Sequence, residues 1–108
     1  MSDTIAAIAT GAQVAAIGII RLSGPEAIAI ADRLFAPRAG RRMSERADRS
    51  LVYGTLRSRS GEILDICLCT VSRAPNSYTG EDTAELQCHG SPVVLRAALE
   101  EIFALGAR

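Results

Sequence analysis

Glu85 is the first residue whose type and setting suit chemistry. Around it Thr83, Glu85 and Gln87 alternate with Ala84, Leu86 and Cys88, the period of a strand with one face in a core and one face out. A carboxylate on the outward face meets either open solvent or a ligand groove, and alternation leaves both readings open. Arg21 ends the apolar run Ile17-Gly18-Ile19-Ile20-Arg21-Leu22 and shares a face with Ile17 and Ile19. Its guanidinium fork can hold an acidic ligand group, or its stem can cover apolar surface while the head stays in water. Directly before the Glu85 strand, Tyr78-Thr79-Gly80-Glu81-Asp82 joins a hydroxyl, a glycine and two adjacent carboxylates. That composition suits a tight, hydrogen-bonded turn that can also serve as a binding loop. Adjacent side chains on a turn diverge, which disfavours a magnesium site or an acid-base pair at Glu81 and Asp82.

Cys67, Cys69, Cys88 and His89 carry the right atoms for tetrahedral zinc, yet Cys-x-Cys within a strand and a Cys-His neighbour pair are not zinc spacings. Successive strand residues point to opposite faces, so Cys88 and His89 make a poor nucleophile-base couple, and His89 before Gly90 reads as the shape of a strand exit. No catalytic residue and no metal ligand is assigned. Arg38, Arg41, Arg42, Arg46 and Arg49 lie close together and can touch RNA phosphates. Without interleaved aromatics they read as a solvated loop.

The composition narrows the classes further. A chain of 108 residues with 48% hydrophobic content can bury one core and is read as one domain, residues 1–108. Twelve basic residues balance twelve acidic ones, so the totals point to no strongly basic nucleic-acid binder. Every basic residue is arginine, which excludes a Schiff-base lysine, a lysine base and the lysine of a phosphate-binding loop. The G-x-x-x-x-G-K-[ST] pattern is accordingly absent. The first residues lack a basic leader, and no apolar run approaches the roughly 20 residues of a membrane span. Three cysteines are an odd number, best read as reduced thiols. The expectation is a soluble, cytoplasmic protein with no membrane association.

Behind these residues the chain reads as two strands, a helix, three strands and a helix. Asp3 to Thr10 and Ile17 to Leu22 form the first strands, with the loop Gly11 to Ala16 between them. Ser23-Gly24-Pro25-Glu26 starts a helix whose Ala27, Ile30, Ala31 and Leu34 keep helical spacing to about Phe35. Pro37 to Ser50 lacks periodicity and is read as a surface loop. Leu51 to Arg57 and Ile63 to Arg73 form a hairpin around Ser58-Arg59-Ser60-Gly61, the second strand apolar on both faces and therefore central. Thr83 to Cys88 is the half-buried strand already described. Ser91-Pro92 caps a last helix with the stripe Leu95, Ala98, Leu99, Ile102 and Phe103, closed by Gly106. Strand and helix do not alternate strictly, so the class is α+β with a mixed, mostly antiparallel sheet.

DTIAAIAT, IGIIRLSGPEA, YGTL, ILD, the block NSYTGEDTAELQCHG from Asn76 to Gly90 and the closing GAR occur in this order over nearly the whole chain. Together they resemble the amino-terminal domain of the tRNA modification GTPases, MnmE or TrmE. The resemblance implies half of the aminomethyltransferase folate-binding fold, completed by a second copy, in a domain that binds 5-formyl-tetrahydrofolate as one-carbon donor and forms a homodimer. It implies a longer parent, of which this is a fragment. There a helical domain carries a GTPase that uses GTP, magnesium and potassium. With tRNA and the flavin-dependent MnmG (GidA), such proteins modify carbon 5 of the wobble uridine, installing a carboxymethylaminomethyl-type group.

Arg21 in IIRLSG and Glu85 in TAELQCHG fall on the family's folate-contacting arginine and glutamate. A pterin edge offers an amino group and a ring N–H side by side, which a carboxylate accepts as a pair. Arg21 then serves a pterin carbonyl or a tail carboxylate, and the sequence leaves that choice open. The chain departs from the family at Gly11 to Ala16, where a proline- and glycine-rich loop is usual, and at Ser91, where a second glycine is common. A further folate-contacting lysine is expected beyond Arg108. The alternatives are a dimerisation scaffold that has lost folate and a stand-alone folate-dependent methyltransferase-like enzyme, the latter opposed by the missing second half-domain.

Overall fold

A computed structural model describes residues 3–9, 15–77 and 79–108. Residues 11–14 of the departing loop, and Tyr78, lie outside the described residues. The strands are β1 (Ile5–Ile8), β2 (Ala15–Ser23), β3 (Phe35–Pro37), β4 (Val52–Arg57), β5 (Ile63–Ser72) and β6 (Thr83–Gly90). The helices are α1 (Ala27–Leu34), between β2 and β3, and α2 (Pro92–Ala104), after β6. The sheet runs β1-β2-β6-β5-β4-β3, and each neighbouring pair is antiparallel. The α+β class therefore holds, with an antiparallel sheet.

Alternation along each strand separates two faces. Ile20 and Leu22 of β2, Cys67, Cys69 and Val71 of β5, and Ala84, Leu86 and Cys88 of β6 are buried together with Ala27, Ile30, Ala31 and Leu34 of α1 and Leu95, Ala98 and Ile102 of α2. The helices thus cover one face. The other face carries Arg21, Glu85, Gln87 and His89, and its apolar side chains stay in solvent: Ile17 is 57%, Tyr53 47% and Ile66 50% exposed. The reading of β5 as apolar on both faces holds for the residue types, and β5 lies inside the sheet between β4 and β6. Its outer face, however, is left uncovered within this chain.

The entry to α1 shows how sequence is converted into geometry. Gly24 has φ +138, and a Cβ there would lie 2.6 Å from the Thr4 Cα, so only glycine lets the two backbones approach this closely. That approach brings the Thr4 hydroxyl to accept the N–H of Glu26 at 2.8 Å, satisfying a helix-start donor from another element. At the other end of the chain, Arg108 donates its N–H to the Thr4 carbonyl at 2.9 Å and accepts the N–H of Ala6 at 2.8 Å.

Several details differ from the reading of the sequence. β2 begins at Ala15, so the last two residues of the loop read as Gly11 to Ala16 belong to the strand. α1 stops at Leu34, and Phe35 turns into β3, which pairs with β4 and adds a fourth strand after the first helix. The room for that pairing comes from Gly54, where a Cβ would overlap the Ala36 carbonyl oxygen. The segment read as a surface loop contains a short 3-10 helix, Met43–Glu45, and Met43 is fully buried. Arg73 fixes this segment by donating to Asp48 and to the carbonyls of Arg46 and Ser44. In the stripe of α2, Leu95, Ala98 and Ile102 are buried, but Phe103 is 42% exposed. Ser91 stands at the N-cap of α2 without a side-chain cap bond; its carbonyl accepts the N–H of Leu95 at 3.0 Å.

Candidate functional site

The ladders place Arg21 opposite Glu85 and Glu85 opposite Thr70, so one row of side chains crosses β2, β6 and β5 on the open face. Val52 pairs with Cys69, which sets Leu51 beside Thr70 at the end of this row. Arg21 Nη2 donates to Glu85 Oε1 at 3.0 Å. The two candidates, independent in the sequence, are one cross-strand ion pair. Their side chains are 44% and 24% exposed, and an ion pair this open adds little stability. The sheet does not need it, and both groups keep free hydrogen-bonding capacity.

A cleft of about 580 Å³ opens over this row, lined by Arg21, Arg49, Leu51, Thr70, Ser72, Thr83 and Glu85. That volume is in the range of small-molecule sites. The lining combines one carboxylate, two guanidinium groups and three hydroxyls around the exposed Leu51. Such a set suits a polar ring system with adjacent N–H donors, an apolar flank and an acidic end.

The loop before β6 is held as turn chemistry requires. Asp82 Oδ1 accepts the N–H of Ala74 at 2.8 Å, and the Asp82 carbonyl accepts that of Gly24 at 2.9 Å. Glu81 accepts the Ser23 hydroxyl at 3.3 Å, Ser23 meets the Thr79 hydroxyl at 2.9 Å, and Ser77 donates to the Glu81 carbonyl. Glu81 and Asp82 thus anchor the loop to the end of β2 and to the turn after β5, beside the cleft.

The three cysteines are free and buried. A hydrogen bond with Cys88, followed by burial, raises the Cys67 thiol pKa, and burial pushes Cys69 up to about 12. Cys67 and Cys69 are thus neutral core thiols at neutral pH. His89 is on the opposite face, where Asp65 binds its backbone N–H at 2.8 Å and meets Nδ1 at 2.7 Å. The arginine cluster is divided: Arg46 donates to the carbonyls of Ala39 and Arg41, Arg42 lies 3.6 Å from Glu45, and Arg38 stands 5.7 Å over the Tyr53 ring.

Arg49, in sequence a member of that arginine loop, lines the cleft. It has φ 63, a conformation that sequence signals only when the residue is glycine or asparagine. No local pattern marks it.

The sequence profile described as GTP-binding protein TrmE N-terminus matches residues 4–108. The chain belongs to the TrmE amino-terminal family. Among its TrmE relatives, a protein of Symbiobacterium thermophilum named tRNA modification GTPase MnmE is 47% identical over 106 residues, which are 98% of this chain and 23% of that protein. A protein of the same name from Chloroflexus aurantiacus is 48% identical over 109 residues, 100% of this chain and 23% of the relative. A third, from Desulforamulus reducens, is 40% identical over 109 residues, 100% and 24%. The TrmE amino-terminal match thus spans about a quarter of the length of these relatives.

Proposed function

We propose that this chain is the folate-binding and dimerising amino-terminal module of a tRNA modification GTPase. The observation that carries the reading is the Arg21–Glu85 pair, 3.0 Å apart in a cleft on the open face of the sheet. Glu85 accepts the paired N–H donors of a pterin, and the hydroxyls of Thr70, Ser72 and Thr83 surround it. A reduced folate bound here presents its one-carbon group as donor. A carboxylate that meets no such donors is left unpaired, which discriminates against analogues lacking them.

Dimerisation is supported by the apolar part of the same face. Ile17, Tyr53 and Ile66 are about half exposed and lie close together around a second hollow of about 260 Å³ that also includes His89. A second copy covering this face removes that surface from water. Such a second copy would also complete the aminomethyltransferase-like fold of which the family resemblance implies this domain is half.

The activity of the longer parent is part of this proposal: GTP hydrolysis with magnesium and potassium in another domain, and modification of carbon 5 of the wobble uridine in tRNA together with flavin-dependent MnmG in the cytoplasm. It is supported by the relatives' name, tRNA modification GTPase MnmE. Among the described residues no helix is long and apolar enough to cross a membrane.

Calorimetric titration of the 108-residue chain with 5-formyl-tetrahydrofolate tests the site. Saturable binding is expected, with Glu85→Gln and Arg21→Ala each weakening it by about tenfold or more, the size of one lost charge-assisted contact. Sedimentation of both variants is expected to match the wild-type dimer. A dimer that shows no heat at millimolar ligand would instead establish the scaffold alternative. A monomer at all concentrations would refute self-association of the isolated domain.

A further inference from the structure

The cleft lining carries two arginines against one glutamate. Arg21 is matched by Glu85, so the unbalanced charge is that of Arg49. Its sequence neighbour Asp48 is hydrogen-bonded by Arg73, through Nη1 to Oδ1 and through the Arg73 backbone N–H to Oδ2, and the Arg49 charge acts on it only as the weakest of its attractions, without an ion-pair contact. Among the described residues Arg49 forms no salt bridge. Its side-chain partner is a neutral acceptor: Nη2 donates to the Asn76 carbonyl at 2.6 Å. One such bond leaves most of the guanidinium fork available.

The backbone at Arg49 argues in the same direction. Among the described residues it is the sole non-glycine with positive φ, at 63°, a region disfavoured for side chains of this size. Its N–H is fixed to the Val71 carbonyl at 2.8 Å, so β5 holds the residue in register ahead of β4. If the turn alone mattered, glycine or asparagine would adopt it with less strain. The arginine is held in an unfavourable conformation with its head group at the cleft, tied to the turn after β5. Along the row Arg21 on β2 lies three strand spacings of about 4.8 Å from Leu51, and Glu85 on β6 two.

Building on the folate reading, we infer that Arg49 holds the acidic tail of the ligand, with Arg21 and Glu85 holding the ring end. The cleft then has a division of labour: an ion pair that recognises paired donors, the exposed Leu51 against the middle of the ligand, and an unmatched guanidinium for the glutamate carboxylates. This resolves the choice left open for Arg21, which stays with Glu85 at the head. The ligand class is a reduced pterin with an anionic tail, and a pterin with a neutral tail binds less tightly.

Two ligands and two substitutions test this by calorimetry on the full chain: 5-formyl-tetrahydrofolate and its glutamate dimethyl ester, against wild type, Arg49→Gly and Arg49→Lys. Glycine accepts φ 63 without strain, so Arg49→Gly removes the guanidinium while keeping the turn. Wild type is expected to prefer the free acid by about tenfold, a charge-assisted contact's worth. Arg49→Gly is expected to erase that preference while leaving ester affinity within about twofold, and Arg49→Lys to retain part of it. Equal binding of both ligands by wild type, or a preference that survives in Arg49→Gly, would overturn the role of Arg49 and leave the folate site standing. Equal loss of both ligands in Arg49→Gly, with ester binding kept in Arg49→Lys, would mark Arg49 as a support for the loop and also overturn it. Failure of wild type to bind either ligand would sink the folate reading and this inference together.

Discussion

The hydroxyl of Thr4 accepts the N–H of Glu26 at 2.8 Å from a side chain that is almost completely buried. Thr4→Val keeps the shape and removes the acceptor, leaving a helix-start donor unsatisfied, and should cost about 1–2 kcal/mol. In a thermal melt that is a fall of roughly 4–8 °C per kcal/mol, and an unchanged midpoint would refute the capping role. The sequence did not announce this contact, because a residue twenty-two positions away supplies it. Glu85 and Arg21 show the opposite balance. Period-two alternation placed both on the outward face, and the resemblance assigned both to folate. That they face each other depends on β2 pairing with β6, which no local pattern encodes. Arg49 was hidden for a different reason, since its positive φ is enforced by β5 and by Asn76 rather than by its own preferences.

At the scale of elements, two glycines in strands make a contrast that can be measured. At Gly54 an added Cβ would overlap the Ala36 carbonyl oxygen and come 2.6 Å from Phe35 Cζ. The obstacle is backbone of the partner strand β3, so Gly54→Ala must separate β3 from β4 and should cost about 2–3 kcal/mol. At Gly18 the Cβ would come 2.6 Å from Leu95 Cδ1, the tip of a side chain on α2. Leu95 can rotate, so Gly18→Ala should cost about 1 kcal/mol, partly offset by the lower strand entropy of alanine. Urea titrations of both variants check the order, and a larger loss for Gly18→Ala would contradict the packing described. The long, strongly patterned elements β2, β5, β6, α1 and α2 were legible from periodicity. β3 was not, because three residues carry too little pattern, and Met43 was hidden inside a stretch dominated by arginine.

For the whole molecule, the response to acid follows from two clasps. Hydrogen bonds from the backbone and side chain of Arg73 lower the pKa of Asp48, and those from Arg59 lower that of Glu101. A carboxyl whose pKa is lower folded than unfolded contributes stability above its unfolded value, about 4, and loses it as pH falls toward the folded value. Melting midpoints should therefore drop below about pH 4, and a Asp48→Asn, Glu101→Gln double variant should drop less between about pH 6 and 3. An identical acid dependence in wild type and variant would remove these clasps from the explanation. The sheet order β1-β2-β6-β5-β4-β3 carries a consequence for synthesis. During translation β1 with β2, and later β3 with β4 and β5, can each pair as soon as they emerge, but the two halves share no ladder until β6 arrives between them. Of the six strands in this sheet the last to be made is the one that bears Glu85, so joining the two half-sheets and creating the ligand cleft are the same event: a nascent chain without β6 has neither a continuous sheet nor Glu85 to pair with Arg21.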